Sequence, residues 1–134
     1  MDILFEDGDL KTLLMDSISY VTPECRGNII ISGSHGGTSS AGYAITAKVG
    51  AAFFNDAGVG KNAAGIKGLE QLQEADIIAA AISHESAEIA NAADAYNNGI
   101  VSHVNEPAQK AGIRPEMPVS DAVTIVRSFL LQKR

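Results

Sequence analysis

Gly27-Asn28-Ile29-Ile30-Ile31-Ser32-Gly33-Ser34-His35-Gly36-Gly37-Thr38-Ser39-Ser40-Ala41-Gly42-Tyr43 is the stretch that decides the fold class. Its β-branched run, Ile29 to Ile31, gives way at once to small residues and glycines and then to a segment able to turn helical. This order predicts a strand, a tight turn and a helix N-terminus capped by Thr38 or Ser39. Such a junction presents free backbone N–H groups and the positive end of a helix dipole beyond the strand end.

Downstream the same alternation repeats. Ala51 to Phe54 is a second apolar run that breaks into the loop Asn55-Asp56-Ala57-Gly58-Val59-Gly60-Lys61-Asn62, and Ile66, Leu69, Leu72 and Ala75 then recur about one helical turn apart. Ile77 to Ile82 is a continuous apolar run of the kind expected of a strand covered on both faces. Ser83-His84-Glu85-Ser86 follows it, and the alanine-rich segment from Ala87 to Tyr96 has helical spacing. Ile100 and Val101 open a fourth strand that runs into Ser102-His103-Val104-Asn105. A loop rich in Pro and Gly precedes a last amphipathic helix over Val119 to Leu131. Upstream, Met1 to Glu6 reads as a short edge strand with a turn at Asp7-Gly8-Asp9, and Leu10, Leu13, Leu14, Ile18 and Val21 as a helix stopped by Pro23.

Strands alternating with helices at this spacing predict βαβ units with right-handed crossovers. The expected fold is a single α/β domain over residues 1–134. It is expected to be a three-layer (αβα), doubly wound, mainly parallel sheet of about four to five strands, Rossmann-like or flavodoxin-like.

The bulk composition narrows the function classes. A formal charge of −6 with ten Lys and Arg supplies no basic face, so neither nucleic acid nor an anionic membrane surface is expected as a partner. No apolar run approaches the ~20 residues of a membrane span. The single cysteine, Cys25, cannot form an intramolecular disulfide and reads as structural; no basic-then-apolar leader opens the sequence, so a cytoplasmic location is expected. Aromatic residues are few, so the core falls to Ile, Val, Leu and many Ala. With so modest a core, residues such as Phe53, Phe54, Tyr96 and Phe129 are expected to be covered by another subunit, making the chain a homo-oligomer.

All three histidines follow a serine where an apolar run ends: Ser34-His35, Ser83-His84 and Ser102-His103. In a parallel sheet those ends share one edge, joined there by Asn55-Asp56, and open α/β sheets bind ligands along that edge. Ser34, His35, Asp56, His84 and His103 are therefore the candidate catalytic residues, with imidazole acid–base chemistry at their centre. Gly33, Gly36, Gly37, Thr38, Asn55, Gly58, Gly60, Lys61 and Glu85 are the candidate ligand-binding residues. The plainer alternatives are that the histidines are loop bystanders, that the glycines only shape turns, and that Asp56 makes an Asx-turn. Gly58-Val59-Gly60-Lys61 is not a nucleotide-binding P-loop, because Asn62 stands where Ser or Thr is required. His84, Glu85, His103 and Asp56 have the donor chemistry of a nitrogen–oxygen metal set, but no two ligands show a helical His-x-x-x-His spacing, so no metal residue is assigned and the cofactor stays open.

Small residues two before and two after Ser34 meet the steric requirement of a nucleophile elbow, with the His35 N–H and a neighbouring glycine as oxyanion donors. Over about ten residues this segment resembles the elbow of the DJ-1/PfpI superfamily, with Ser34 where that superfamily usually carries Cys. The leading expectation is an enzyme acting on a small polar or anionic metabolite. In a hydrolase Ser34 would be the nucleophile; in a lyase or isomerase it would be a hydrogen-bond donor. A non-catalytic ligand-binding or regulatory domain, or a structural subunit of a larger complex, is the alternative.

Overall fold

The computed structural model describes residues 2–134. Six strands form one mixed sheet whose order follows the sequence: β1 (Asp2–Asp7), β2 (Leu10–Met15), β3 (Ile29–His35), β4 (Ala51–Asn55), β5 (Ile78–Ile82) and β6 (Val101–Val104). Strands β2 to β5 are parallel, while β1 and β6 run antiparallel at the two edges. The helices are α1 (Thr38–Ala47), α2 (Gly68–Glu74), α3 (Ala92–Asn98), α4 (Glu106–Ala111) and α5 (Val119–Gln132). None is long and apolar enough to cross a membrane.

This architecture corrects the expected sheet: it is mixed rather than mainly parallel, and it has six strands rather than four to five. The reversal of strand order that marks Rossmann-like and flavodoxin-like sheets is also absent. Because β2→β3, β3→β4 and β4→β5 all step the same way, right-handed crossovers must place all three connections on one face. Ile18 and Cys25 of the first connection, Ala41 and Ala44 of α1, and Leu69 and Leu72 of α2 accordingly share one apolar cluster with Leu13, Ile30 and Phe54. The alternate strand residues Ile29, Ile31, Phe53 and Ile82 pack into a second cluster with Ala95 of α3, Ala108 of α4 and Val119, Val123 and Val126 of α5. Phe53 and Phe54 are fully buried within this one chain.

The segment expected to be helical from Leu10 is strand β2. Leu10, Leu13 and Leu14 have helical spacing, but Gly8, in the left-handed region at φ 63°, turns the chain so that β2 pairs with β1 and then with β3. Leu10 and Leu14 then face one cluster and Leu13 and Met15 the other. Arg127 of α5 holds the hairpin down, with Nε and one terminal nitrogen donating to the two carboxylate oxygens of Asp7 at 2.8 and 2.9 Å. Its guanidinium lies 3.8 Å above the Phe5 ring centre.

Three further boundaries move. Strand β3 continues through His35, because a bulge between Ile31 and His35 absorbs the small residues, with the Ser32 hydroxyl donating to the Phe53 carbonyl at 2.9 Å. The N-cap of α1 is Gly37 rather than Thr38 or Ser39, and no side chain caps it. Helix α3 starts at Ala92 instead of Ala87, since Ala90 N–H donates to the Gly33 carbonyl at 2.7 Å and pins 83–91 as a loop. The Pro- and Gly-containing segment after Asn105 holds α4, capped by the Asn105 side chain accepting from Ala108 N–H.

Candidate functional site

Asp56 sits one residue beyond β4, where its backbone N–H continues the parallel ladder to the Ile82 carbonyl at 2.8 Å. Its side chain is nearly buried and accepts four hydrogen bonds. Oδ1 takes the Gly58 N–H at 2.9 Å, the His84 N–H at 3.1 Å and the His84 ring Nδ1 at 3.0 Å. Oδ2 takes the Ser102 hydroxyl at 2.8 Å, and the Ser102 Oγ lies 3.0 Å from the His103 ring Nδ1. The result is a continuous chain, His84–Asp56–Ser102–His103, laid across β4, β5 and β6.

The proton positions follow from the donor inventory. Burial pushes the Asp56 carboxyl upward, but the hydrogen bonds from Gly58, Ser102 and His84 outweigh it and hold the group below the ordinary carboxylate range. Ionised Asp56 can only accept, so His84 Nδ1 must donate to it. Ser102 has a single proton and spends it on Asp56, so its oxygen must accept from His103 Nδ1–H. In its neutral form each imidazole therefore carries its proton on Nδ1 and leaves Nε2 free to accept. The His84 side chain is 50% exposed against 6% for Asp56, so a buried carboxylate orients an accessible base.

His103 joins this cluster for a different reason from the one anticipated. Strand β6 is antiparallel, so His103 does not lie at a shared C-terminal end. Ser102 reaches Asp56 because β6 begins on the side where β5 finishes, with Ile82 opposite Val101 and Ala81 opposite His103. Ser102 is a member of this cluster that was not among the candidate residues, and the repeated Ser-His pairing was its only signal in the sequence.

Ser34 and His35 do not enter the chain of hydrogen bonds. Ser34 Oγ accepts from Ile18 N–H at 3.0 Å, and exposed His35 turns back to accept from Gly37 N–H at 3.2 Å through Nδ1. Gly33 is occupied by backbone: a Cβ there would lie 2.6 Å from the Ala90 Cα and carbonyl carbon. Gly36 N–H donates to the Asn55 carbonyl at 3.1 Å, and the Gly36 carbonyl accepts from Gly68 N–H. Asn55 is buried and ties β4 to the 83–91 loop, donating to the Ala87 carbonyl at 3.0 Å and accepting from Ala57 N–H at 2.8 Å. Thr38, Gly60, Lys61 and Glu85 are exposed.

The loop after Asp56 is held in a costly conformation. Ala57, Val59, Asn62 and Ala63 all have φ between 52 and 58°, and Gly58 and Gly60 are left-handed as well. For a residue with a Cβ that region is unfavourable by about 1 kcal/mol or more, and worse for β-branched Val59. Such strain persists only where the surroundings impose it. Here Asp56 does so through Gly58 N–H at its carboxylate and Val59 N–H at its carbonyl, the latter at 3.1 Å. Among the described residues no three His, Cys, Asp or Glu side chains form a metal-binding group. An open hollow of about 640 Å³ lies away from this cluster, over α1.

No family model, curated protein or solved structure matches the chain.

Proposed function

We propose that the chain is an enzyme of small-molecule metabolism that moves protons with His84, oriented by Asp56. The observation that carries this reading is the 3.0 Å contact from the buried Asp56 carboxylate to Nδ1 of a half-exposed His84. In the reaction, His84 Nε2 takes a proton from a carbon or oxygen of the substrate, and the adjacent carboxylate stabilises the imidazolium that forms. The His84 imidazolium then returns that proton from Nε2 to the neighbouring position, while His103, linked to the same carboxylate through Ser102, accepts a hydrogen bond from the substrate at its unprotonated Nε2. Lys61, on the loop that Asp56 braces, is assigned the polar or anionic end of the substrate.

Lyase or isomerase chemistry is favoured over a serine hydrolase, because the Ser34 oxygen already accepts from Ile18 N–H and has no histidine partner. The three-layer arrangement belongs to the same reading, supported by the two separate apolar clusters. So does the homo-oligomer: Ile89, 47% exposed on the loop that carries His84, is read as the contact through which a second copy walls an otherwise open site. Light scattering that returns a monomer at micromolar concentration would remove that part.

The test is incubation of the protein with pooled small polar and anionic metabolites in D2O, followed by proton NMR for lost C–H signals and new resonances. Conversion that falls about 100-fold or more in His84→Ala is expected. No conversion by the native chain, or an equal rate in the variant, would overturn the proposal in favour of a ligand-binding domain.

A further inference from the structure

The outer face of α1 carries a second feature unrelated to His84. Ser39, Gly42, Tyr43 and Thr46 recur at helical spacing on the side opposite Ala41 and Ala44, which pack on the sheet, and all four are exposed. Residues 21–23 of the β2–β3 connection rise beside this face, and together they wall the open groove of about 640 Å³. That volume is in the range that holds metabolite-sized molecules. Arg26 and Lys48 also line the groove. Among the described residues neither makes an ion pair or a side-chain hydrogen bond, in a chain whose formal charge is −6. Glu24 stands two residues from Arg26, and one of its oxygens is taken by the Thr22 hydroxyl at 2.8 Å.

Gly42 has no backbone reason to be glycine. It lies inside a helix, its φ is not positive, and a Cβ built on it meets no atom within 4 Å. Glycine at such a position weakens a helix by about 1 kcal/mol relative to alanine. What its missing side chain provides is room above the helix, between the exposed Tyr43 ring and the wall at 21–23. We infer that this groove binds a small organic anion, its apolar body against Tyr43 and residues 21–23 and its carboxylate, phosphate or sulfonate group between Arg26 and Lys48.

The probes are 8-anilinonaphthalene-1-sulfonate, an aromatic sulfonate, and its neutral relative N-phenyl-1-naphthylamine, titrated by fluorescence with calorimetry for stoichiometry. The native chain is expected to bind one sulfonate probe about tenfold or more tightly than the neutral one. Arg26→Gln with Lys48→Gln should lower sulfonate affinity about tenfold and leave the neutral probe within about twofold. Gly42→Leu, which fills the groove and raises helix propensity, should weaken both probes about tenfold while the chain stays folded by circular dichroism. Sulfonate binding that is unchanged in Gly42→Leu, an equal loss of both probes on charge removal, or no stoichiometric binding at all would overturn the inference.

Discussion

Asp56→Asn is expected to lower stability at neutral pH by about 2 kcal/mol and, in the proposed reaction, to lower turnover about 100-fold or more. Four donors converge on this one carboxylate, and hydrogen bonds to a charged acceptor are worth roughly twice those to a neutral one. An amide keeps the shape but replaces one acceptor oxygen with an NH2 group. If that group faces Ser102, the Ser102 proton loses its acceptor; if it faces His84, the imidazole is driven to the other tautomer. Either way the imidazolium of His84 loses its counter-charge. Urea denaturation gives the stability change, and nitrogen chemical shifts of His84 report the tautomer. A loss under about 0.5 kcal/mol with an unchanged His84 tautomer would show that the carboxylate is not the organiser of the cluster.

The pH dependence has a definite sign. Asp56 is held below its unfolded value of about 3.9, so its contribution is fully present above that pH and disappears as the pH falls through the folded value. The part of the stability gap between the native chain and Asp56→Asn that the Asp56 charge supplies should therefore be lost as the solution is acidified below about pH 4. Asp7, hydrogen-bonded by Arg127, and Asp94, hydrogen-bonded by Asn98, are also depressed. They destabilise both proteins alike in acid and cancel in the difference. A gap that stays constant below about pH 4 would mean that Asp56 is not the ionised partner assigned to it.

Gly33→Ala is expected to cost about 3 kcal/mol or more. The new methyl would meet the Ala90 Cα and carbonyl carbon at 2.6 Å, and the obstacle is backbone, which cannot rotate aside as a side chain can. Ala90 cannot retreat freely, because its N–H is bonded to the Gly33 carbonyl and Asn55 holds the same loop through the Ala87 carbonyl. Ala90 is itself left-handed, with φ 65°, a conformation that this latch maintains. Since the loop carries His84, the substitution should also shift the His84 ring resonances. Gly42→Ala is the control: the space around it is open, so it should leave the fold intact and raise stability by about 0.5–1 kcal/mol. Equal stabilities for the two alanine variants would mean that the 83–91 loop yields without cost.

The elements legible in the sequence are those whose own residues dictate them. Ile29–Ile31 and Ile77–Ile82 are apolar runs too short for helices, and Val119 to Leu131 has a clean apolar stripe. Asp56 and His84 were legible for the same reason, since both follow such a run within two residues. The spacing of Leu10, Leu13 and Leu14 fits a helix equally well, and only β1 and β3 on either side turn it into a strand covered on both faces. The alanine-rich segment after His84 has helical composition over its whole length, and contacts from Gly33 and Asn55 keep its first part a loop.

The hydrogen-bond partners were wholly a matter of tertiary structure. Ser34 has the surroundings of a nucleophile, yet its oxygen accepts from Ile18, sixteen residues earlier in the chain. Ser102 joins Asp56 across forty-six residues because β6 is antiparallel, a property that no local pattern encodes. The sequence by itself determined an α/β chain with chemistry-bearing residues after its strands, because steric preference and apolar periodicity act within a few residues. Only the tertiary structure decided the strand directions and which hydroxyl meets which carboxylate, because each depends on groups brought from distant parts of the chain.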